Sequence, residues 1–170
     1  MKAIKANSNH MQRAQSLVEL AISLTVLLLL LSGAVTFGMA LFSYVSLRDA
    51  AQEGALYASF NPCIPDGNGA CHPGSTLNRA GIVARIRSSS TSPVDLSNTS
   101  AVPDGYIVTT LTTGQPCEGK DAGGNPNAIT VSVRYDYPIF MPFVGAILGR
   151  QNIPLTGTVT DTILEPRCTP

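Results

Sequence analysis

The sequence predicts an α+β protein: a long N-terminal transmembrane helix that extends into a small ectodomain built on an antiparallel sheet. Three observations carry this reading. Residues 20–47 form a run of 28 positions without a charged side chain, in a chain that is only 13% charged, where a soluble domain averages about 25%. Residues 106–113, 128–137 and 155–164 alternate apolar and polar side chains and are rich in β-branched residues, the period-2 signature of strands. All four cysteines, Cys63, Cys71, Cys117 and Cys168, lie beyond the apolar run. An even count outside a membrane segment points to disulfides in an oxidising compartment.

The apolar run comes first in the chain and decides the class. At about 1.5 Å per residue it spans roughly 42 Å as a helix, more than the ~30 Å hydrocarbon core of a bilayer, which excludes a purely cytosolic protein. Lys2, Lys5 and Arg13 precede it with no acid among residues 1–13. The positive-inside bias therefore puts the head in the cytoplasm and everything after residue 48 outside. A secretory signal has an apolar core of about 7–15 residues followed by a small-residue cleavage site. A cut after Ala34 would leave Val35, Phe37, Met39, Leu41 and Phe42 at an apolar new N-terminus, so a retained membrane helix is expected. Residues 1–14 read as a basic cytoplasmic leader, 15–60 as a transmembrane and extended helix, and 61–170 as an extracytoplasmic α+β domain.

Within the helix, Ala34 and Gly38 stand four apart. Farther on, Ala50, Gly54 and Ala58 form an i, i+4, i+8 stripe, with Ala51, Ala55 and Ser59 beside it. Membrane helices associate through close packing of small residues, because lipid is as apolar as Leu. The stripe therefore has two readings, contact with neighbouring chains or packing on the protein's own ectodomain. Asn61-Pro62 should end the helix. Glu19 is the conspicuous residue, since a carboxylate costs about 2.5–3.5 kcal/mol at the centre of a spanning helix and less near the interface. It is either an interfacial acid marking the helix end or an acid awaiting a cation from another chain.

The string Arg13-Ala14-Gln15-Ser16-Leu17-Val18-Glu19 resembles the processing site of the type IV pilin superfamily, and most closely that of TadE-like pseudopilins of the tight-adherence (Flp) pilus machinery. Arg48-Asp49-Ala50-Ala51-Gln52-Glu53-Gly54-Ala55 is similar to the stretch that follows the membrane helix in that family. The segment Tyr135-Asp136-Tyr137-Pro138 and the final strand with Glu165 look like its C-terminal half. The resemblance is dense over 13–58 and loose elsewhere. It implies a pilin-like fold, a non-enzymatic role in pilus assembly, and a place in the cytoplasmic (inner) membrane. It further implies cleavage between Ala14 and Gln15 by a prepilin peptidase, with Glu19 then fifth in the mature chain. Ala14 departs from the family's usual Gly. The implied partners are the membrane, the peptidase, other pilins or pseudopilins and pilus assembly proteins. Cleavage would free the α-amino group of Gln15, a cation that could pair with Glu19 of the next subunit and set the register between them.

In the outer domain, Ser75 or Thr76 should cap a short helix over 77–87, with Arg79, Arg85 and Arg87 on a solvated face. Residues 88–104 read as a Ser/Thr/Pro-rich loop and 119–127 as a turn-rich connection. The apolar segment 139–148, broken by Pro142 and Gly145, is too short to span a bilayer and is ranked first as buried beneath the sheet. Four cysteines allow three pairings. The preferred one is Cys63–Cys71, closing a loop with two turn signals, with Cys117–Cys168 tying back the tail. A metal site on Cys63, Cys71 and His72 fits no common zinc spacing. No nucleophile–base set, phosphate loop, dinucleotide fingerprint or EF-hand loop occurs, so neither catalysis, cofactor nor small-molecule substrate is expected. Residues 48–170 carry 8 basic and 10 acidic side chains and lack the basic surface that nucleic-acid binding needs.

Overall fold

A computed structural model describes residues 8–67, 70–72, 74–113, 115–117, 120, 123–139 and 149–164, with side chains from Gln15 onward. The apolar run folds within one helix, α1, Ser8–Phe60, 53 residues long. It ends where the sequence places its breaker, at Asn61-Pro62, and Asn61 N–H donates a last helical bond to the Tyr57 carbonyl at 2.9 Å. The chain divides into two compact units, Met1–Gly38 and Met39–Pro170.

The second unit holds the remaining elements: α2 (Arg79–Ser89), a 3-10 turn (Asp104–Tyr106), and strands β1 (Ile107–Leu111), β2 (Ala128–Pro138) and β3 (Asn152–Thr162). The sheet order is β1-β2-β3, with both pairs antiparallel; Ile107 stands opposite Val133, and Val131 opposite Val159. This is the expected α+β arrangement with a small antiparallel sheet.

One face of the sheet is buried and the other is wet, as alternation requires. Ile129, Val131 and Val133 of β2 are fully buried with Ile107 of β1. Against them pack Leu47, Ala50, Ala51, Ala55 and Ala58 of α1 and Ile82 and Ile86 of α2. The small side chains let the backbones approach closely. A Cβ built on Gly54 would stand 2.5 Å from Ile86 Cγ1, and one on Gly157 would stand 2.7 Å from Arg48 N and Leu47 C of the helix backbone. The opposite face carries hydroxyls that bond across the strands, Thr130 to Thr160 at 2.8 Å and Ser132 to Thr158 at 3.0 Å.

Two expectations need correction. The short helix begins at Arg79, two residues later than its periodicity predicts, and its cap is Asn78, whose Oδ1 accepts from Gly81 N–H at 3.1 Å. The cause is tertiary: Leu77 pairs with Cys63 in an isolated bridge, and the Thr76 carbonyl accepts from Ile64 N–H at 3.1 Å. Residues 76–77 are thus held extended and cannot start a helix. The arginine side of α2 is also not simply solvated. Arg87 donates to the Leu96 and Val102 carbonyls at 2.7 and 3.0 Å and pairs with the Asp104 carboxylate. Arg79 donates to the Ile107 carbonyl at 3.0 Å. Both guanidiniums hold down the 88–104 loop, over Val94, Leu96 and Val102, which are buried. Arg85 alone faces outward, paired with Glu53 at 2.9 Å.

Cys63 and Cys71 form a disulfide with their Cα atoms 6.1 Å apart, within the usual range. That bond consumes both thiols of the metal alternative, and His72 Nε2 lies 3.0 Å from Asp66 Oδ2 instead. Cys117 is disulfide-bonded as well; Cys168 lies outside the described residues, as does most of the apolar segment 139–148.

Candidate functional site

The N-terminal part of α1 is a helix with nothing packed on it from the described chain. Leu17 is 66% exposed, Leu30 71% and Phe37 66%, and large aliphatic side chains point outward on every side. A helix apolar all round belongs in a nonpolar medium. Its mean hydropathy and length suffice to cross a membrane. In lipid no water satisfies polar groups, so each must find a partner within the chain. Several hydroxyls do so. Thr25 donates to the Ala21 carbonyl at 2.8 Å, Thr36 to Ser32 at 2.9 Å and Ser43 to Met39 at 2.9 Å, each one turn back, the usual recourse of Ser and Thr inside a helix.

The residues singled out from sequence fall into two groups on this helix. Ala14 and Gln15 lie within α1, not in a loop before it, and Glu19 is exposed one turn beyond Gln15. Ala34 is exposed, and a Cβ added to Gly38 would meet nothing within 4 Å. These positions leave an open face. Ala50, Gly54 and Ala58, by contrast, are buried against the protein's own sheet and α2, so of the two readings of that stripe the structure takes intramolecular packing.

A polar cluster that no local sequence pattern announces sits on β2 just past the end of its pairing with β1. The Tyr106 hydroxyl donates to Asp136 Oδ2 at 2.6 Å. Arg134 donates to Asp136 Oδ1 from Nη2 at 3.0 Å and lies 4.9 Å over the Tyr106 ring. The tyrosine hydrogen bond, and after it the arginine, hold the Asp136 carboxyl below the ordinary carboxylate range, and the same bond raises the Tyr106 phenol. The segment Tyr135-Asp136-Tyr137-Pro138 drew notice in the sequence, but its partner 30 residues upstream gave no signal. A cavity of about 470 Å³ was likewise not foreseen. It lies between Phe42, Val45, Ser46, Asp49 and Glu53 of α1 and the segment 89–93, and only tertiary folding joins these two stretches.

An uncovered apolar helix that runs into a disulfide-bonded α+β unit is the make-up of a single-pass membrane protein. The family of TadE-like proteins matches the chain over residues 14–56, from the small residue before Gln15 to the middle of the buried alanine stripe. The match covers about a quarter of the chain and marks a similarity to TadE-like proteins over that segment. No curated protein and no solved structure matches the chain.

Proposed function

We propose that this chain is a non-enzymatic, membrane-anchored pseudopilin that acts in assembly of a Flp-type pilus or a related secretion apparatus. Residues 1–14 would stay in the cytoplasm as a leader, the helix would cross the inner membrane, and the disulfide-bonded unit would stand outside. A prepilin peptidase would cut between Ala14 and Gln15. The supporting observation is the position of Glu19, an exposed carboxylate five residues from Ala14 at the start of an uncovered apolar helix, inside the matched segment. An unpaired carboxylate there carries a desolvation cost that a cation would offset. The freed α-amino group of Gln15 in a neighbouring subunit supplies one. In this reading the partners are other pilins or pseudopilins, bound through the open helix face around Ala34 and Gly38.

The test has two parts. The intact mass of the membrane-extracted chain from its own host should correspond to a start at Gln15. Glu19→Ala should leave insertion intact while reducing recovery of crosslinked pilin partners about tenfold, the size of one lost charge-assisted contact. A full-length mass with unchanged partner recovery would support the alternative, an uncleaved single-span protein whose ectodomain binds another envelope component. The departure from Gly at Ala14 is the feature that favours that alternative.

A further inference from the structure

The cavity beside α1 has an amphipathic helix wall. Phe42, Val45 and Ser46 lie inside the uncharged run of the sequence, which ends at Leu47, while Asp49 and Glu53 lie beyond it. Phe42 and Val45 are 56% and 49% exposed, so the apolar end of the wall is open. At the polar end, Asp49 makes no hydrogen bond or ion pair among the described residues. Glu53 gives only Oε2 to Arg85, at 3.2 Å from Nε and 2.9 Å from Nη2. Facing this wall, Ser90 is spent on Ser46 and on the Val94 carbonyl at 2.9 and 3.0 Å. The hydroxyls of Thr91 and Ser92 have no hydrogen-bond partner among the described residues.

A step from apolar to acidic along about two turns of helix, at the place where the uncharged run stops, matches a molecule that joins an acyl chain to a cation. We propose that this cavity seats phosphatidylethanolamine, with its ammonium on Asp49 and the free oxygen of Glu53, its phosphate on the Thr91 and Ser92 hydroxyls, and its acyl chains along Phe42 and Val45. Charge complementarity selects the headgroup. An ammonium brings three charged N–H donors to carboxylate acceptors, whereas phosphatidylglycerol offers only neutral hydroxyls and a net negative charge to two carboxylates. Choline carries the cation but no N–H. The inference rests on α1 being embedded in a membrane and adds a lipid preference to that reading.

The experiment uses the full-length chain, first floated with vesicles and then placed in nanodiscs of equimolar phosphatidylethanolamine, phosphatidylcholine and phosphatidylglycerol. Native mass spectrometry then identifies the retained lipid. The wild-type chain should retain phosphatidylethanolamine about tenfold over phosphatidylglycerol, the size of one charge-assisted hydrogen bond. Asp49→Asn should bring that ratio close to one, and Asp161→Asn, on β3, should leave it unchanged. A chain that floats with vesicles but shows no preference, or the same preference after Asp49→Asn, overturns the lipid site and leaves the membrane reading standing. A chain that floats with no vesicle overturns both. A photo-crosslinker at Thr91 should capture lipid, and capture of a second copy of the chain there instead also overturns the proposal.

Discussion

The two halves of α1 use the same small residues to opposite ends. Around Gly38 an added Cβ would meet nothing within 4 Å among the described residues, and Leu30, Phe37 and Phe42 are exposed. Around Gly54 the small residues are buried and the large side chains come from elsewhere, from Ile86 and Val131. A small-residue stripe therefore does not by itself distinguish a surface for other chains from a bed for the chain's own sheet. What distinguishes them is whether the chain supplies a complementary face, and among the described residues it does so only from about Ser43 onward. The contrast is sharpest at the contact between Gly157 and the helix backbone. Gly157→Ala would drive a methyl into Arg48 N and the Leu47 carbonyl group, which are fixed in the helical ladder and cannot turn aside as a side chain can. Overpacking of this kind costs about 3 kcal/mol, a large share of the roughly 5–15 kcal/mol that holds a domain together. Gly38→Ala meets no atom within 4 Å and should leave the second unit unchanged, with a gain of about 1 kcal/mol in local helix propensity. Thermal unfolding of the full chain in micelles, followed by tyrosine near-ultraviolet signal, checks the pair. Equal effects of the two substitutions would break the contrast between the halves.

A smaller difference is expected in response to pH, because the shifted carboxyl and phenol groups belong to the second unit. Asp136 is held below its ordinary value by Tyr106 and then by Arg134. Its contribution to stability is present above the unfolded carboxyl value of about 4 and is lost as pH falls through the lower folded value. Tyr106 is raised by the same hydrogen bond. Its contribution is complete below the unfolded phenol value of about 10 and is lost as pH rises through the folded one. Tyr106→Phe removes the phenol's contribution and the tyrosine's share of the Asp136 shift, leaving that of Arg134, so its stability relative to wild type should be most reduced between these limits, and the two profiles should approach each other at either extreme. The exposed half of α1 should keep its helical signal throughout. Parallel profiles at all pH values would show that the hydrogen bond does not set the shifts.

How much of this the sequence carries depends on how local each cause is. The helix end at Phe60, the three strands and the 63–71 disulfide follow from Asn61-Pro62, from β-branched alternation and from a short turn-rich loop between cysteines, all of which act within a few residues. The start of α2 does not, because residues 76–77 are held by Cys63 and Ile64, and the helix has to begin where that bridge ends. The roles of Arg79 and Arg87 were hidden for the same reason. A helix face with three arginines reads as solvated until a loop with unpaired carbonyls folds across it. In the matched segment, Glu19 was conspicuous because a lone carboxylate in an apolar run is costly wherever the helix goes. Asp49 was not, since the loop that makes it part of a cavity lies 40 residues farther along the chain.

The smallest expected effect concerns an imperfection in the buried face that α1 and the sheet share. Thr109 sits on β1 opposite Val131, on the inward side with Ile107 and Leu111, and its Oγ1 is buried with no hydrogen-bond partner among the described residues. A hydroxyl removed from water without a partner costs about 1–3 kcal/mol. The threonine methyl already packs as a valine methyl would, so Thr109→Val exchanges the hydroxyl for a second methyl at nearly constant shape. The strand also tolerates Val well. The second unit should gain about 1 kcal/mol, read as a higher urea midpoint at unchanged slope for the full chain in micelles. A loss of stability would mean that the hydroxyl has a partner in solution, a bound water being the obvious one. The inward face would then be wetter at this point, and the contrast between a sealed upper helix and an uncovered lower one would be less complete than the packing around Gly54 implies.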